Sequence, residues 1–81
     1  MNYRVILRFS LDGDAGSVVR NNLASQLGAL GLRLSGTGTW ESQILPTHAA
    51  VGLMQAIASR LATLPNGVAV DHVWLYLDRV V

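Results

Sequence analysis

The chain has 81 residues, which is enough for one domain, residues 1–81, with a thin core. A domain this small buries only somewhat more than about 60% of its unfolded surface. The chain has six arginines, no lysine and five acidic residues. The resulting net charge of +1 excludes a strongly basic nucleic-acid-binding protein. The chain has no cysteine, which excludes disulfides and thiolate chemistry, and no apolar run approaches the roughly 20 residues of a membrane span. A soluble cytoplasmic protein is expected.

The apolar content is high for a domain of this size. Apolar residues make up 51% of the chain and charged residues only 14%, against a usual charged share of about 25%. Because a small domain has a high ratio of surface to volume, one thin core does not hide this much apolar material. Self-association is the simplest way to cover the excess, so we expect a homodimer.

The first element is a strand that ends in an acidic glycine turn. Alternate residues of an extended chain lie on opposite faces. One face of this strand is wholly apolar and comprises Tyr3, Val5, Leu7 and Phe9. The other face is half polar and comprises Arg4, Ile6, Arg8 and Ser10. After the turn, Asp14 is a typical helix N-cap, and apolar residues recur at helical spacing from Val19 to Leu30. Gly31 is the expected C-terminal cap.

The middle of the chain predicts two further strands. The second begins at Leu32 and continues to Glu41, with a bend or bulge at Gly36 and Gly38. Residues 43–45 form a short third strand.

The last third of the chain predicts a helix and a long strand. The helix has Thr47 as its N-cap and ends at the breaker sequence of residues 64–67. The final strand spans Val68–Val80. It places Val73, Leu75 and Leu77 on one face and His72, Trp74, Tyr76 and Asp78 on the other.

The element order β-α-β-β-α-β predicts an α+β fold of the ferredoxin-like type, with an antiparallel sheet. Each helix has a single apolar stripe, so both helices are expected on the same sheet face. The first and last strands are neighbours in this plan. On the other, open face we therefore expect Arg8 near Trp74 and Tyr76.

The element order and several short motifs resemble a known family. The motifs are Phe9-Ser10-Leu11 with an Asp-rich turn, Gly31-Leu32-Arg33-Leu34, Thr37-Gly38-Thr39-Trp40-Glu41 and His72-Val73-Trp74-Leu75-Tyr76. They resemble the small CRISPR-associated adaptation protein, first described as an endoribonuclease, and its relative, virulence-associated protein D. The resemblance implies a ferredoxin-like homodimer in which an aspartate that ends the first strand holds a divalent metal for phosphodiester cleavage.

The resemblance also implies site residues. Ser10 stands where the family has its metal-binding aspartate, and Asp12 lies two residues further on, roughly 6.6 Å along an extended strand. A catalytic site would then comprise Asp12 and Ser10, with Mg²⁺ or Mn²⁺ bound at Asp12 and Arg8 contacting phosphate. Two carboxylates two residues apart can share a cation, which adds Asp14 as a metal ligand. The alternative is structural: Asp12 and Gly13 make a turn and Asp14 caps a helix.

Two interpretations are open for the half-polar face. Arg4, Arg8 and Arg33 can bind RNA or DNA phosphates beside aromatic rings on which bases stack. Alternatively, the face packs against a second copy, because protein interfaces also favour arginine and aromatic residues. The predicted dimer interface comprises Trp74, Tyr76, Val80 and Val81, with the C-terminal strand pairing to the edge of the partner's sheet. His48 and His72 are assigned surface or interface roles.

Three functions follow from these interpretations. The first is a nucleic-acid-associated homodimer of the adaptation-protein and virulence-protein type, with metal-dependent endoribonuclease activity expected from the resemblance. The second is a catalytically silent dimerisation or assembly module. The third, from fold analogy alone, is a regulatory domain that binds a small ligand.

Overall fold

The computed structural model describes residues 1–80, so the predicted interface role of Val81 falls outside the described residues. It shows five strands in one antiparallel sheet with two helices, which confirms the predicted α+β fold. The strands are β1 (Asn2–Asp12), β2 (Arg33–Leu34), β3 (Thr39–Glu41), β4 (Leu45–Pro46) and β5 (Ala69–Arg79). The helices are α1 (Val18–Ala29), which a 3₁₀ turn at Ala15–Ser17 precedes, and α2 (Thr47–Ala62). Neither helix in the described part is long and apolar enough to cross a membrane.

Strand β1 lies in the centre of the sheet. It pairs with β5 along its length on one edge and with both β3 and β4 on the other. The predicted alternation is confirmed, because Val5 and Leu7 are 0% exposed. They pack in one cluster with Leu27 of α1 and with Ala50 and Ile57 of α2. Both helices therefore cover the same face of the sheet.

The second and third strands differ from the prediction. Arg33 pairs with Glu41 and Leu34 with Trp40, so β2 and β3 form a hairpin rather than one continuous strand. Gly36 and Gly38 have φ of 65° and 73°, which only glycine adopts without strain, and they make the turn of this hairpin. The short strand predicted at residues 43–45 is present with different bounds, because Leu45–Pro46 is the segment that pairs with β1 after Thr39–Glu41.

A bulge at Ser42 joins β3 to β4 along the same edge. Ile6 is opposite Glu41 and Tyr3 is opposite Leu45, so the β3–β4 side has one extra residue between these pairs. Ser42 N–H donates to the Val5 carbonyl at 2.9 Å, and Val5 N–H donates to Ser42 Oγ, also at 2.9 Å. The serine side chain thus replaces the backbone acceptor that the bulge removes from the ladder.

The helix termini agree with the sequence in part. Asp14 caps α1 as predicted, although the 3₁₀ turn separates the two; its carboxylate accepts the N–H groups of Val19 and Arg20, each at 2.9 Å. Gly31 follows α1 with φ of 93°, as expected of a C-terminal cap. Thr47 is the first helical residue of α2 and Pro46 is the N-cap, which corrects the prediction for Thr47. Proline fits here because the first N–H groups of a helix have no partner within the helix.

We predict that Ser42→Ala lowers the free energy of unfolding by about 1–3 kcal/mol, because it leaves the buried Val5 N–H without its acceptor. Urea unfolding followed by circular dichroism measures the change. Ser42→Thr keeps the hydroxyl and should restore most of the stability, whereas Ser25→Ala, on the exposed side of α1, serves as the neutral control. Equal midpoints for Ser42→Ala and Ser25→Ala would contradict this account.

Candidate functional site

The sheet surface opposite the helices, here called the open sheet face, is built from the half-polar sides of β1 and β5. Cross-strand pairs on this face are Arg4 with Asp78, Ile6 with Tyr76, Arg8 with Trp74, and Ser10 with His72. Within residues 1–80 both helices pack on the other face, and Trp74 and Tyr76 are 60% and 56% exposed. The prediction that the fold brings Arg8 next to Trp74 is confirmed.

Arg8 and Trp74 form the main contact on the open sheet face. The Arg8 guanidinium carbon lies 5.6 Å from the centre of the Trp74 ring, within the range of a cation–π interaction. At an exposed site this contact contributes about 0.5–1 kcal/mol. Covering the exposed part of a tryptophan would contribute about 3 kcal/mol, from roughly 120 Å² at 25 cal/mol per Å². The contact with Arg8 therefore contributes less than full burial of the exposed indole would.

A second bulge brings three polar side chains together at one end of this face. Ser10 is opposite His72 and Leu11 is opposite Val70, so Asp71 has no partner in β1. In a regular strand the side chains of residues 71 and 72 would lie on opposite faces. Instead, Ser10 Oγ donates to Asp71 Oδ2 at 3.1 Å, and His72 Nδ1 lies 2.9 Å from the same oxygen. The extra residue therefore creates a cluster of hydroxyl, carboxylate and imidazole.

The Asp71 carboxylate is held in its ionised form by this cluster. The hydrogen bond from His72, followed by that from Ser10, lowers the pKa of Asp71 below its ordinary value of 3.8. Asp71 and His72 form an ion pair whenever the imidazole is protonated. The pair lies at the surface, where the His72 side chain is 77% exposed and remains accessible to a ligand.

A cavity of about 270 Å³ opens beside this cluster. Its lining combines Arg8, Phe9, Ser10, Gly38, His72 and Trp74. The Arg8 guanidinium can donate to a phosphate oxygen, while the indole offers a flat apolar surface. The Ser10 hydroxyl already donates to Asp71. The volume is just below the usual range of small-molecule sites, about 300–1,000 Å³, and fits a single phosphate or base.

The other two predicted nucleic-acid-binding arginines lie apart from this cavity. Arg4 and Arg33 line a separate groove of about 590 Å³, together with Glu41 and Ser42. Arg33 is opposite Glu41 in the β2–β3 ladder, so a carboxylate shares that groove. Arg8, in contrast, is opposite Trp74 in the ladder, and the carboxylate near its cavity is that of Asp71, which already accepts from Ser10 and contacts His72.

The predicted metal ligands lie at the end of β1 and in the turn that follows it. Both oxygens of Asp14 accept backbone N–H groups of α1, which is the structural alternative weighed for this residue. Asp12 is exposed at the end of β1, opposite Ala69. Within residues 1–80, no group of three histidine, cysteine, aspartate or glutamate side chains is arranged to hold a metal ion. Binding of Mg²⁺ or Mn²⁺ at Asp12 and Asp14 remains a prediction, as do the catalytic roles of Asp12 and Ser10.

The sequence alone missed two members of the site. Gly38 reaches the cavity because the β2–β3 hairpin folds back beside β1. Asp71 joins the cluster only because of the register shift in β5. The signal available for Asp71 was the pair of adjacent polar residues, Asp71 and His72, between two valines, which interrupts the alternation of a strand.

Comparisons with known proteins do not add to this description. No protein-family model matches the chain, and no curated protein or solved structure is significantly similar to it. The resemblance to the adaptation and virulence-associated proteins stays a prediction, and the site is interpreted from its own geometry.

We predict that the Asp71 cluster makes stability depend on pH under acidic conditions. Because the folded-state pKa is lowered, its contribution is fully present above pH 3.8 and is lost as the pH falls through the folded value. The free energy of unfolding of the wild type should therefore decrease as the pH falls below about 4, and this decrease should be smaller in Asp71→Asn. Urea unfolding at a series of pH values measures both curves. Asp78→Asn, in the same strand, is the matched control. A wild-type profile in Asp71→Asn would contradict the assignment.

Proposed function

We propose that this protein is a homodimer that binds single-stranded nucleic acid on the open sheet face. The observation that carries the proposal is the exposed pair Trp74 and Tyr76 with the Arg8 guanidinium over the indole ring. Aromatic side chains on an open sheet are a recurring surface on which unpaired bases stack. Arginine beside them supplies donors for phosphate oxygens.

The spacing of the two aromatic residues suits successive nucleotides. Trp74 and Tyr76 are two residues apart on the same strand, which places their Cα atoms about 6.6 Å apart. Each stacked base contributes about 1–3 kcal/mol and demands no particular sequence. With a net charge of +1, the chain has little long-range attraction for a polyanion, so stacking has to supply most of the affinity.

The cavity beside Arg8 offers the bound strand a phosphate contact at one end of the aromatic pair. A base stacked on Trp74 has the Arg8 guanidinium and the His72 imidazole at that end. A phosphate bound there lies on the side away from Tyr76. Arg4 and Arg33 offer a weaker second contact in their groove, since Glu41 lies among them.

A second candidate function, an assembly module, is favoured by the outer edge of β5. This strand pairs only with β1 among the described residues, and Val73 and Leu77 on its helix side are 43% and 37% exposed. Apolar residues along a free strand edge are typical of surfaces that pair with another chain. Dimerisation is compatible with nucleic-acid binding, because the edge and the open sheet face are different surfaces.

We predict that Trp74→Ala weakens binding of a short labelled oligonucleotide by about 5- to 150-fold, which corresponds to the loss of one stacked base. Fluorescence anisotropy with RNA and DNA strands of the same length measures the affinity. Arg8→Gln should also weaken binding, whereas Arg60→Gln, on the exposed side of α2, removes the same charge elsewhere and should not.

The salt dependence of the same titration provides an independent check. With at most three arginines contacting phosphates, the slope of log affinity against log salt should be no steeper than about −2. Equal binding by wild type and Trp74→Ala would remove the proposal, and a much steeper slope would assign the affinity to charge instead of stacking.

The endoribonuclease activity expected from the resemblance has its own test. Short RNA is incubated with Mg²⁺ or Mn²⁺ and either the wild type or Asp12→Ala, and the products are separated on a gel. If Asp12 holds the metal, cleavage by the wild type should fall at least about 100-fold in the variant, because a lost metal ligand removes the activated water. Cleavage that is unchanged in Asp12→Ala would refute the site assignment, and binding without cleavage would identify a catalytically silent protein.

A further inference from the structure

We propose that two copies of the chain pair antiparallel through the outer edges of β5, in a register centred on Leu75, so that the two sheets become one. The edge is 11 residues long and contains neither proline nor lysine, the residues that usually block such pairing. Among the described residues, β5 pairs with β1 on one side and with no strand on the other.

The backbone of β5 presents alternate hydrogen-bonding groups to the free edge. Val5 directs its N–H and C=O to Ser42, on the side of β1 away from β5. Leu77 of β5 lies opposite Val5, so the two residues form a non-hydrogen-bonded pair. The N–H and C=O of Leu77 therefore point away from β1, towards the free edge. By the same alternation Leu75 and Val73 also present their groups outward. These groups match an identical antiparallel strand.

The side chains of β5 are self-complementary about Leu75. A two-fold axis at Leu75 sets Trp74 against Tyr76 of the second copy, and Val73 against Leu77 of the second copy. Further out, on the open sheet face, it sets His72 against Asp78 of the second copy. Aromatic, aliphatic and oppositely charged pairs of this kind each contribute about 0.2–1 kcal/mol in a sheet.

Neighbouring registers lack this match. Directly opposed residues lie on the same face, so a symmetric pair is centred on a residue and the nearest alternatives are centred on Trp74 or Tyr76. A centre at Trp74 places Val70, beyond the bulge, opposite Asp78, so that Asp78 has no imidazole opposite it. A centre at Tyr76 sets Trp74 against Asp78 and Val73 against Arg79, which places charges against apolar side chains. Only the register centred on Leu75 sets His72 against Asp78. Charge complementarity therefore selects the register centred on Leu75.

Edge pairing leaves the open sheet face accessible. A two-fold axis perpendicular to the sheet keeps both open faces on the same side. Trp74 and Tyr76 of the two copies then form one continuous aromatic surface. The pairing covers part of the exposed apolar surface of β5 without requiring any ligand, and it stands independently of nucleic-acid binding.

The register can be tested with introduced cysteines, because the chain has none of its own. Trp74→Cys, carrying a size tag, is mixed with untagged Tyr76→Cys under mild oxidation without nucleic acid. Both positions are exposed, and their backbone groups bond to β1, so they form a non-hydrogen-bonded pair with Cα atoms about 4.5 Å apart across the proposed interface. That distance permits a disulfide. The expected product is the mixed dimer on a non-reducing gel.

The single-variant samples are the matched controls. In the proposed register, position 74 of one copy is offset by two residues from position 74 of the other. Their Cα atoms are then about 7–8 Å apart, so Trp74→Cys alone should not form a disulfide. Wild-type protein should also sediment at twice the chain mass of 8.7 kDa. A monomer in sedimentation would overturn the dimer. A sedimenting dimer without the mixed disulfide, as packing through the open sheet faces would give, would overturn the edge register.

Discussion

The pairing of β1 on both of its edges is the constraint on which the rest of the structure depends. Val5 and Leu7 are fully buried, and helix residues from α1 and α2 pack on them. A central strand is held in place by its hydrogen bonds to the strands on both sides. Strand β5 supplies these bonds on one side, with a bulge at Asp71. On the other side, at the bulge between β3 and β4, the Ser42 hydroxyl accepts the Val5 N–H. The Ser42 side chain thus allows the two short strands β3 and β4 to pair with β1 along one side.

The same strand connects the core to the candidate site. Because β1 alternates, Arg8 and Ser10 lie on the face opposite Val5 and Leu7. Strand β5 places Trp74 and His72 opposite them. The fold thereby gathers a cation, an aromatic ring and an imidazole without a loop or a helix end. Sites on paired strands are held more rigidly than sites on loops, which favours a preformed binding surface.

The sequence predicted what depends on local periodicity and missed what depends on pairing. The apolar face of β1, the cap at Asp14 and the meeting of Arg8 with Trp74 all follow from alternation, helical spacing and element order. The hairpin at Gly36 and Gly38 was mistaken for a continuous strand, because two glycines in a strand-like segment fit a bulge as well as a turn. The polar pair Asp71-His72 interrupts the alternation of β5, but which of the two residues lacks a partner depends on the register with β1, which the sequence of β5 alone does not give.

The position of Asp71 has a consequence for how variants of this chain should be compared. The carboxylate reaches the open sheet face because β5 carries one residue more than β1 at this point. Deleting that residue would leave an intact ladder, the same core and the same helices, yet no acid between hydroxyl and imidazole. A homologue that lacks this one residue would share the fold but not the cluster of hydroxyl, carboxylate and imidazole. A single gap at this position of an alignment would therefore mark a larger difference at the site than many substitutions elsewhere.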